Sequence, residues 1–267
     1  MKKNNIQLRI GIVLLSIVVL SLIIGYLING INIEINLEHR LEASSKRFLL
    51  GTDELGRDLL SCIIYGAFLS LLTATIVVTI SSVFGSSIGM ISALSGGIID
   101  TISMRIVDII LSFPGILLAI ALVSFFNQGF WAIVFALTFS SWVGYARIVR
   151  SEALKHKNSL FIISAKSYNS SFFRIVFSHL LPLSLPLIIV QASLSVSGII
   201  LSESSLNFLG IGLKPDIPTL GQLIDSGRGH IFDRSEMIIY PGIILFLIII
   251  SFIFIGEGLR KRFEIDL

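Results

Sequence analysis

The stretch YARIVRSEALKHKNSLFIISAKSYNSSFFRIVFSHLLP, running from Tyr145 to Pro182, decides how this chain is read. It lies between two apolar spans and carries six cations (Arg147, Arg150, Lys155, Lys157, Lys166, Arg174) against one acid, Glu152. Lys and Arg accumulate on the cytoplasmic side of membrane proteins, so an insert this basic is expected in the cytoplasm. Its apolar residues recur at helical spacing. Phe161, Ala165 and Tyr168 fall at i, i+4, i+7, and Phe173, Val176, Phe177 and Leu180 at i, i+3, i+4, i+7. Between the two stripes, Asn169 is suited to the left-handed conformation that ends a helix, and Pro182 is expected to close the second helix. The pattern predicts helix, tight turn, helix: a cytoplasmic knob shaped to dock onto another protein.

The rest of the chain is membrane. Of 267 residues, 54% are hydrophobic and only 14% charged, with mean hydropathy +0.92, outside the soluble globular range. Uncharged apolar stretches long enough to span a bilayer run over Ile10–Ile28, Ala67–Ala93, Ile109–Phe126, Leu183–Leu201 and Ile238–Ile255, with Phe130–Ala146 one residue shorter. Six spans are predicted, the third beginning near Ile98 and carrying Arg105 and Asp108 in its first turns. The divisions are residues 1–28, a cytoplasmic N-terminus with the first helix; 29–66, an extracytoplasmic segment; and 67–267, five helices with the coupling loop at about 150–180. With both termini inside, thirteen of the 20 Lys and Arg fall on cytoplasmic segments: Lys2, Lys3, Arg9, Arg105, the six of the insert, and Arg260, Lys261 and Arg262. That asymmetry predicts an N-in, C-in membrane protein. The first span is read as a retained helix, and the turn-formers Pro215, Pro218, Gly221, Gly227 and Gly229 predict an ordered loop, not a helix, between Ser204 and Glu236.

The net charge of +3 follows from this loop bias and gives no reason to expect nucleic acid. Cys62 is the single cysteine, so no internal disulfide forms, and its simplest reading is a small buried apolar residue. The four histidines are scattered, and no metal site or cofactor is expected. The sequence has no Gly-rich phosphate loop ending in Lys-Ser/Thr, no His-Glu-x-x-His and no Gly-x-Ser-x-Gly. It is read as a transport subunit and not as an enzyme.

The insert resembles the coupling segment, the "EAA" loop, of permease subunits in binding-protein-dependent ABC importers. Tyr145-Ala146-Arg147-Ile148-Val149-Arg150 and His179-Leu180-Leu181-Pro182 match its ends. Its middle departs: Ile163-Ser164-Ala165 stands where the family usually has Glu-Ala-Ala, and Asn169 stands for Gly. The first change removes one coupling contact. The second matters less, because Asn tolerates positive φ better than other residues with side chains. Four further blocks resemble the "C-type" permease of the peptide/nickel importers. They are Leu50-Gly51-Thr52-Asp53-Glu54-Leu55-Gly56-Arg57-Asp58, Met104-Arg105-Ile106-Val107-Asp108 with Phe113-Pro114, Ser202 to Gly212, and Gly256-Glu257-Gly258-Leu259-Arg260. The resemblance covers about residues 36 to 263. It implies an all-α integral membrane protein of the type I ABC importer permease fold. It also implies partners: a second homologous permease, two ATP-binding subunits that bind the ATP, an extracytoplasmic substrate-binding protein, and membrane lipid. Ser164, Ala165, Lys166 and Asn169, with Phe161 and Tyr168, would form the ATPase-docking surface.

Other residues admit two readings each. Thr52, Asp53, Glu54, Arg57 and Asp58 either shape the outer gate or binding-protein contact, or serve the following helix, with Thr52 or Asp53 as its cap. Arg105 and Asp108 are spaced to pair with each other on one helix face. Thr75, Thr79, Ser82 and Ser86 in span two, and Gln191, Ser195, Gly198 and Ser202 in span five, either line a polar pathway or join helices. A secondary carrier would show midplane charges and inverted repeats, and a scaffold would need no knob. Small peptides are the expected substrate, because the fifth-span block resembles peptide permeases somewhat more than nickel permeases; nickel or a metal chelate on the same architecture is the alternative.

Overall fold

The computed structural model describes residues 5–126 and 128–263, with every side chain among them except that of Lys166. Lys2 and Lys3, used in the sequence reading, lie outside the described residues. The described chain is helical, and its one β-bridge is the isolated antiparallel pair Thr52–Asp58.

Helix α1, Ile6–Asn29, is followed by an extracytoplasmic segment with a short 3-10 turn at Leu37–His39. Helix α2, Leu59–Ser95, starts eight residues before the apolar run that announced it. Asp58 sets that start: its Oδ2 accepts the Ser61 backbone N–H at 2.8 Å and the Asn29 Nδ2 at 2.7 Å. The cap is thus Asp58, and neither Thr52 nor Asp53. Helix α3, Gly97–Leu111, and α4, Gly115–Phe125, meet at 89°. This corrects the continuous third span. Pro114 offers no N–H to the Ile110 carbonyl and forces Phe113 out of the helical region, so the helix stops there. Ser112 closes α3 by donating its Oγ to the Ile109 carbonyl at 2.7 Å.

Helix α5, Phe130–His156, leads into the insert: α6, Leu160–Ser167, and α7, Phe172–Ile175. A π-turn at Val176–Leu180 then passes directly into α8, Leu181–Phe208. Pro182 therefore does not close a helix. It occupies the first turn of α8, where a missing N–H costs nothing. The second outer loop also differs from its reading, since α9, Leu220–Gly227, forms within it. Thr219 caps α9 by accepting Gln222 N–H at 3.2 Å, and Gly221 and Gly227 are used for close packing instead of turns. Helix α10, Glu236–Phe263, is the last of the described helices.

Five of these helices are long and apolar enough to cross a membrane, and the bent α3–α4 pair makes a sixth span. The ends sort cleanly. Asn5 donates to the Gly258 carbonyl at 2.8 Å, so α1 and α10 run antiparallel with the start of one beside the end of the other. Lys157 reaches the Ala93 carbonyl, which puts the insert at the same end as the α2–α3 corner. Gln128 to Gly210, Arg57 to Asp216 and Arg234 to Leu41 join the loops at the opposite end.

The largest helix pair is α2–α5. Its seam holds two small residues of α2, Gly85 and Gly89, both buried, while other small residues of α2 face other partners: Gly66 meets Thr219 and Leu220, and Ser70 bonds Glu203 of α8. At Gly85 an added Cβ would lie 2.8 Å from Tyr145 Cβ, and at Gly89 3.0 Å from the Arg150 nitrogen. The backbones touch, which is how membrane helices gain dispersion contacts without a hydrophobic driving force between them.

Candidate functional site

At the cytoplasmic end, the insert is a helical knob with one face on the body and one face free. Ile162, Ile175 and Leu180 are buried against Ala93 of α2 and Ala153 of α5, with Ala165 packed partly over them. Val176 joins Met90 and Val149. The predicted stripes do not hold as single faces. Phe173 and Phe177 point outward while Val176 and Leu180 point inward, because the π-turn at Val176–Leu180 resets the helical register. Phe161 and Tyr168 are likewise on the outer side, Tyr168 at 87% exposure. The inward anchor of α6 is Ile162, at 0%.

The turn forms as its sequence requires. Asn169 has φ +54°, and the Ser170 N–H reaches the Ala165 carbonyl at 3.0 Å, a six-residue closure of the Schellman kind. Ser171 then caps α7 through the Arg174 N–H at 3.4 Å. Of the expected docking residues, Ser164, Asn169, Phe161 and Tyr168 form one exposed patch. Ala165 is half-turned to the core. Phe161 also lies between His156 and His179, with ring centroids 6.3 and 6.1 Å away, so the body holds it in place.

At the outer end, Thr52 to Asp58 is a largely buried loop whose polar groups pair with one another and with neighbouring segments, Asp58 Oδ1 being buried without a partner among the described residues. Thr52 Oγ1 donates to the His39 carbonyl at 2.5 Å and accepts the Glu42 N–H at 2.7 Å. Asp53 accepts from the backbone N–H groups of Leu55 and Arg57, both at 2.9 Å, and from Arg57 Nε at 2.7 Å. Arg57 continues to the Asp216 carbonyl at 3.2 Å, tying the first outer segment to the second. Glu54 differs: it is part-exposed, 2.9 Å from His230 Nε2, beside a cavity of about 260 Å³. The loop-shaping reading therefore accounts for Thr52, Asp53, Arg57 and Asp58, and Glu54 alone offers its carboxylate to the outer face.

The Asp53–Arg57 side chains are 2% and 6% exposed. Breaking such a pair strands a buried charge, so Arg57→Ala is expected to destabilise the protein by about 3 kcal/mol. Thermal unfolding of the purified protein in detergent checks this, and an unchanged melting temperature would refute it.

The polar stripes of α2 and α8 fall differently. Thr75 and Thr79 are exposed and donate to the carbonyls of Leu71 and Thr75, each at 2.7 Å, and Ser82 donates to Thr79. They join no helices; that task belongs to the small-residue seam. Gln191 donates to Ser195 at 3.3 Å within α8. Ser82 and Ile188 line an apolar groove of about 450 Å³ with Phe173, Phe177, Met90 and Leu185. Thr75, Thr79, Gln191 and Ser195 are not part of its lining: the two threonines stay exposed on α2, whereas Gln191 and Ser195 are half-buried on α8, Gln191 close to Gly144 of α5. Asp108 bonds Arg147 of α5 at 3.3 Å and not Arg105, which corrects the expected pair within α3.

Sequence reasoning did not single out Glu203. It is buried at the outer end of α8, accepting from Ser70 Oγ at 2.7 Å and Asn207 Nδ2 at 2.5 Å. Asn207 in turn receives the Leu213 N–H at 2.8 Å, which fixes the turn after α8. The one charged residue of a membrane-spanning helix, set among Ser202, Ser204, Ser205 and Asn207, was the available signal.

Residues 85–265 match the model of the family described as "Binding-protein-dependent transport system inner membrane component". The chain is 36% identical to the dipeptide transport system permease protein DppC of Haemophilus influenzae over 84% of its own length and 76% of that protein's. It is 35% identical to the protein of the same name from Alkalihalophilus pseudofirmus, over 99% of this chain and 87% of that one. Among solved structures, an inward-facing MetNI methionine ABC transporter chain superposes with TM-score 0.61 at 21% identity, covering 75% of this chain and 96% of that one. That last likeness is one of fold.

Proposed function

The chain belongs to the family of inner membrane components of binding-protein-dependent transport systems, and from that premise we propose that it is one permease half of an ATP-driven importer of small peptides. A second, homologous permease completes the pore, two ATP-binding subunits dock at the cytoplasmic knob, and an extracytoplasmic binding protein delivers the substrate. The observation that carries this reading is the knob itself: a positive-φ Asn169 turn between helices anchored by Ile162, Ile175 and Leu180, with Tyr168 and Phe161 held outward. A protein with nothing to dock would gain nothing from exposing aromatics on a rigid basic arm.

Ser164, Ala165, Lys166 and Asn169, with Phe161 and Tyr168, are assigned to ATPase docking. Ala165 contributes mainly by seating α6 and leaving no bulk beneath the interface. Glu54 is assigned to the outer gate or binding-protein contact, supported from beneath by Thr52, Asp53, Arg57 and Asp58. Thr75, Thr79, Ser82, Gln191 and Ser195 are assigned to the translocation pathway, the two threonines being exposed and Ser82 half-buried on α2, and the last two half-buried on α8. Those groups are uncharged and offer hydroxyls and one amide, which suits a peptide backbone. Alternating access follows: closure of the ATPase dimer moves the knob, and the helices exchange an outward opening for an inward one. ATP drives this only through its differential affinity for the two states, since equal affinity shifts nothing.

The peptide assignment rests on the similarity to two dipeptide transport permeases. Uptake of a labelled dipeptide and of labelled nickel, in cells with and without the chain, tests it. Dipeptide uptake is expected to fall to background with nickel unchanged. Loss of nickel uptake alone would replace the substrate while keeping the architecture.

A further inference from the structure

The cytoplasmic end of α5 grips the α2–α3 corner at two points. Arg150 makes a two-pronged ion pair with Asp100 of α3, Nε to Oδ1 at 2.6 Å and Nη2 to Oδ2 at 2.7 Å. Asp100 also accepts from Ser92 Oγ of α2. Two turns further along the same face of α5, Lys157 Nζ donates at 2.7 Å to the carbonyl of Ala93, one of the orphan carbonyls that end α2. The corner itself is Gly96-Gly97, both at positive φ, +64° and +54°. It has no side chain with which to hold its own shape, so the two cations of α5 hold it.

Beyond the corner, α3 lies antiparallel along α5, with Val107, Met104 and Ile110 packed on Trp142, Val143 and Ala146. Arg147 adds a link to Asp108 at 3.3 Å, but both side chains are more than half exposed, and such pairs contribute little. The Arg150–Asp100 pair is different: it is part-buried, two-pronged and charge-assisted. At its far end, α3 breaks by 89° at Ser112-Phe113-Pro114 before α4 begins. So α3 is fastened to the arm that carries the knob and separated from α4 by a bend with no hydrogen bond across Pro114.

We propose that α3 is a lever of the transport cycle: Arg150 and Asp100 are positioning residues that make it move with the coupling insert, and Ser112–Pro114 is the hinge at which that motion becomes a change in α4. This rests on the proposed function, because it needs an ATPase to move the insert. The consequence is that the force from the docked subunit reaches the membrane by two routes. One runs through the π-turn into α8, and the other through the ion pair into α3.

The test uses the assembled transporter with spin-label pairs at Thr101→Cys/Leu154→Cys and, separately, Thr101→Cys/Leu117→Cys. All three positions are exposed, while the native Cys62 is fully buried and stays unlabelled. On ATP binding, the 101–154 distance is expected to stay fixed and the 101–117 distance to shift. A change in 101–154 would overturn the lever. So would two fixed distances in a transporter that still hydrolyses ATP and takes up substrate, and either result leaves the proposed function standing. Asp100→Asn gives an independent reading. Uptake is expected to drop roughly tenfold while ATP hydrolysis continues, and Asp100→Arg with Arg150→Asp is expected to restore part of it. Uptake and hydrolysis falling in the same proportion would mean that the pair only supports the fold. If dipeptide uptake never depended on the chain, the proposed function itself would fail.

Discussion

Gly89→Leu is expected to destabilise the protein by about 3 kcal/mol. Gly89 lies where the α2 backbone meets Ala146 and the Arg150 nitrogen of α5, and neither neighbour is a side chain that can swing aside. Four more carbons at that point force apart the largest helix pair in the chain. Overpacking in a well-filled interior costs about 1–3 kcal/mol, and a backbone-to-backbone contact belongs at the top of that range. Because the same seam carries Arg150, the variant also displaces the insert. Gly198→Ala is the matched control, since a Cβ there meets nothing within 4 Å. Thermal unfolding and membrane yield of the two variants decide the matter: a Gly89→Leu protein as stable as Gly198→Ala would show that α2 and α5 are not in contact at this seam.

Tyr168→Asp is expected to leave stability unchanged and to disconnect uptake from ATP. The ring is 87% exposed and packs on nothing that the fold needs, so its loss should alter stability by no more than about 0.5 kcal/mol. At a docking interface, an aromatic anchor is worth about 2 kcal/mol or more, roughly thirty-fold in affinity, and a carboxylate in its place adds a desolvation cost. Co-purification of the ATP-binding subunits, with uptake measured in parallel, reads both effects. If the subunits co-purify and transport at the wild-type level, the docking surface lies elsewhere on the insert.

Local chemistry was legible in the sequence and long-range pairing was not. Asn169 announced its positive φ because the pattern on either side demanded a turn and Asn is the side chain that tolerates one. Pro114 carried the same kind of signal, yet the apolar run Ile109–Phe126 was read through it. Hydropathy scores composition and is blind to a missing N–H. The stripe Gly85, Gly89 was written in small residues, but the hydroxyl stripe beside it offered the more familiar pattern, and only the backbone distances distinguish seam from open face. Arg150 and Asp100 stand 50 residues apart, and no local rule joins them. The same holds for Arg57 with Asp216 and for Ser70 with Glu203, where two elements must first be placed before their polar groups are seen to meet.

The pairing of α1 with α10 has a consequence for biosynthesis. Gly11 nestles on Ser251 and Ile255, and Gly258 on Leu8, so each helix is shaped for the other across more than 240 residues of sequence. A ribosome completes α1 long before it reaches α10, and through that interval the glycine face of α1 confronts lipid alone. A chain interrupted anywhere before Glu236 would carry an α1 whose Gly11 has no partner helix to fit.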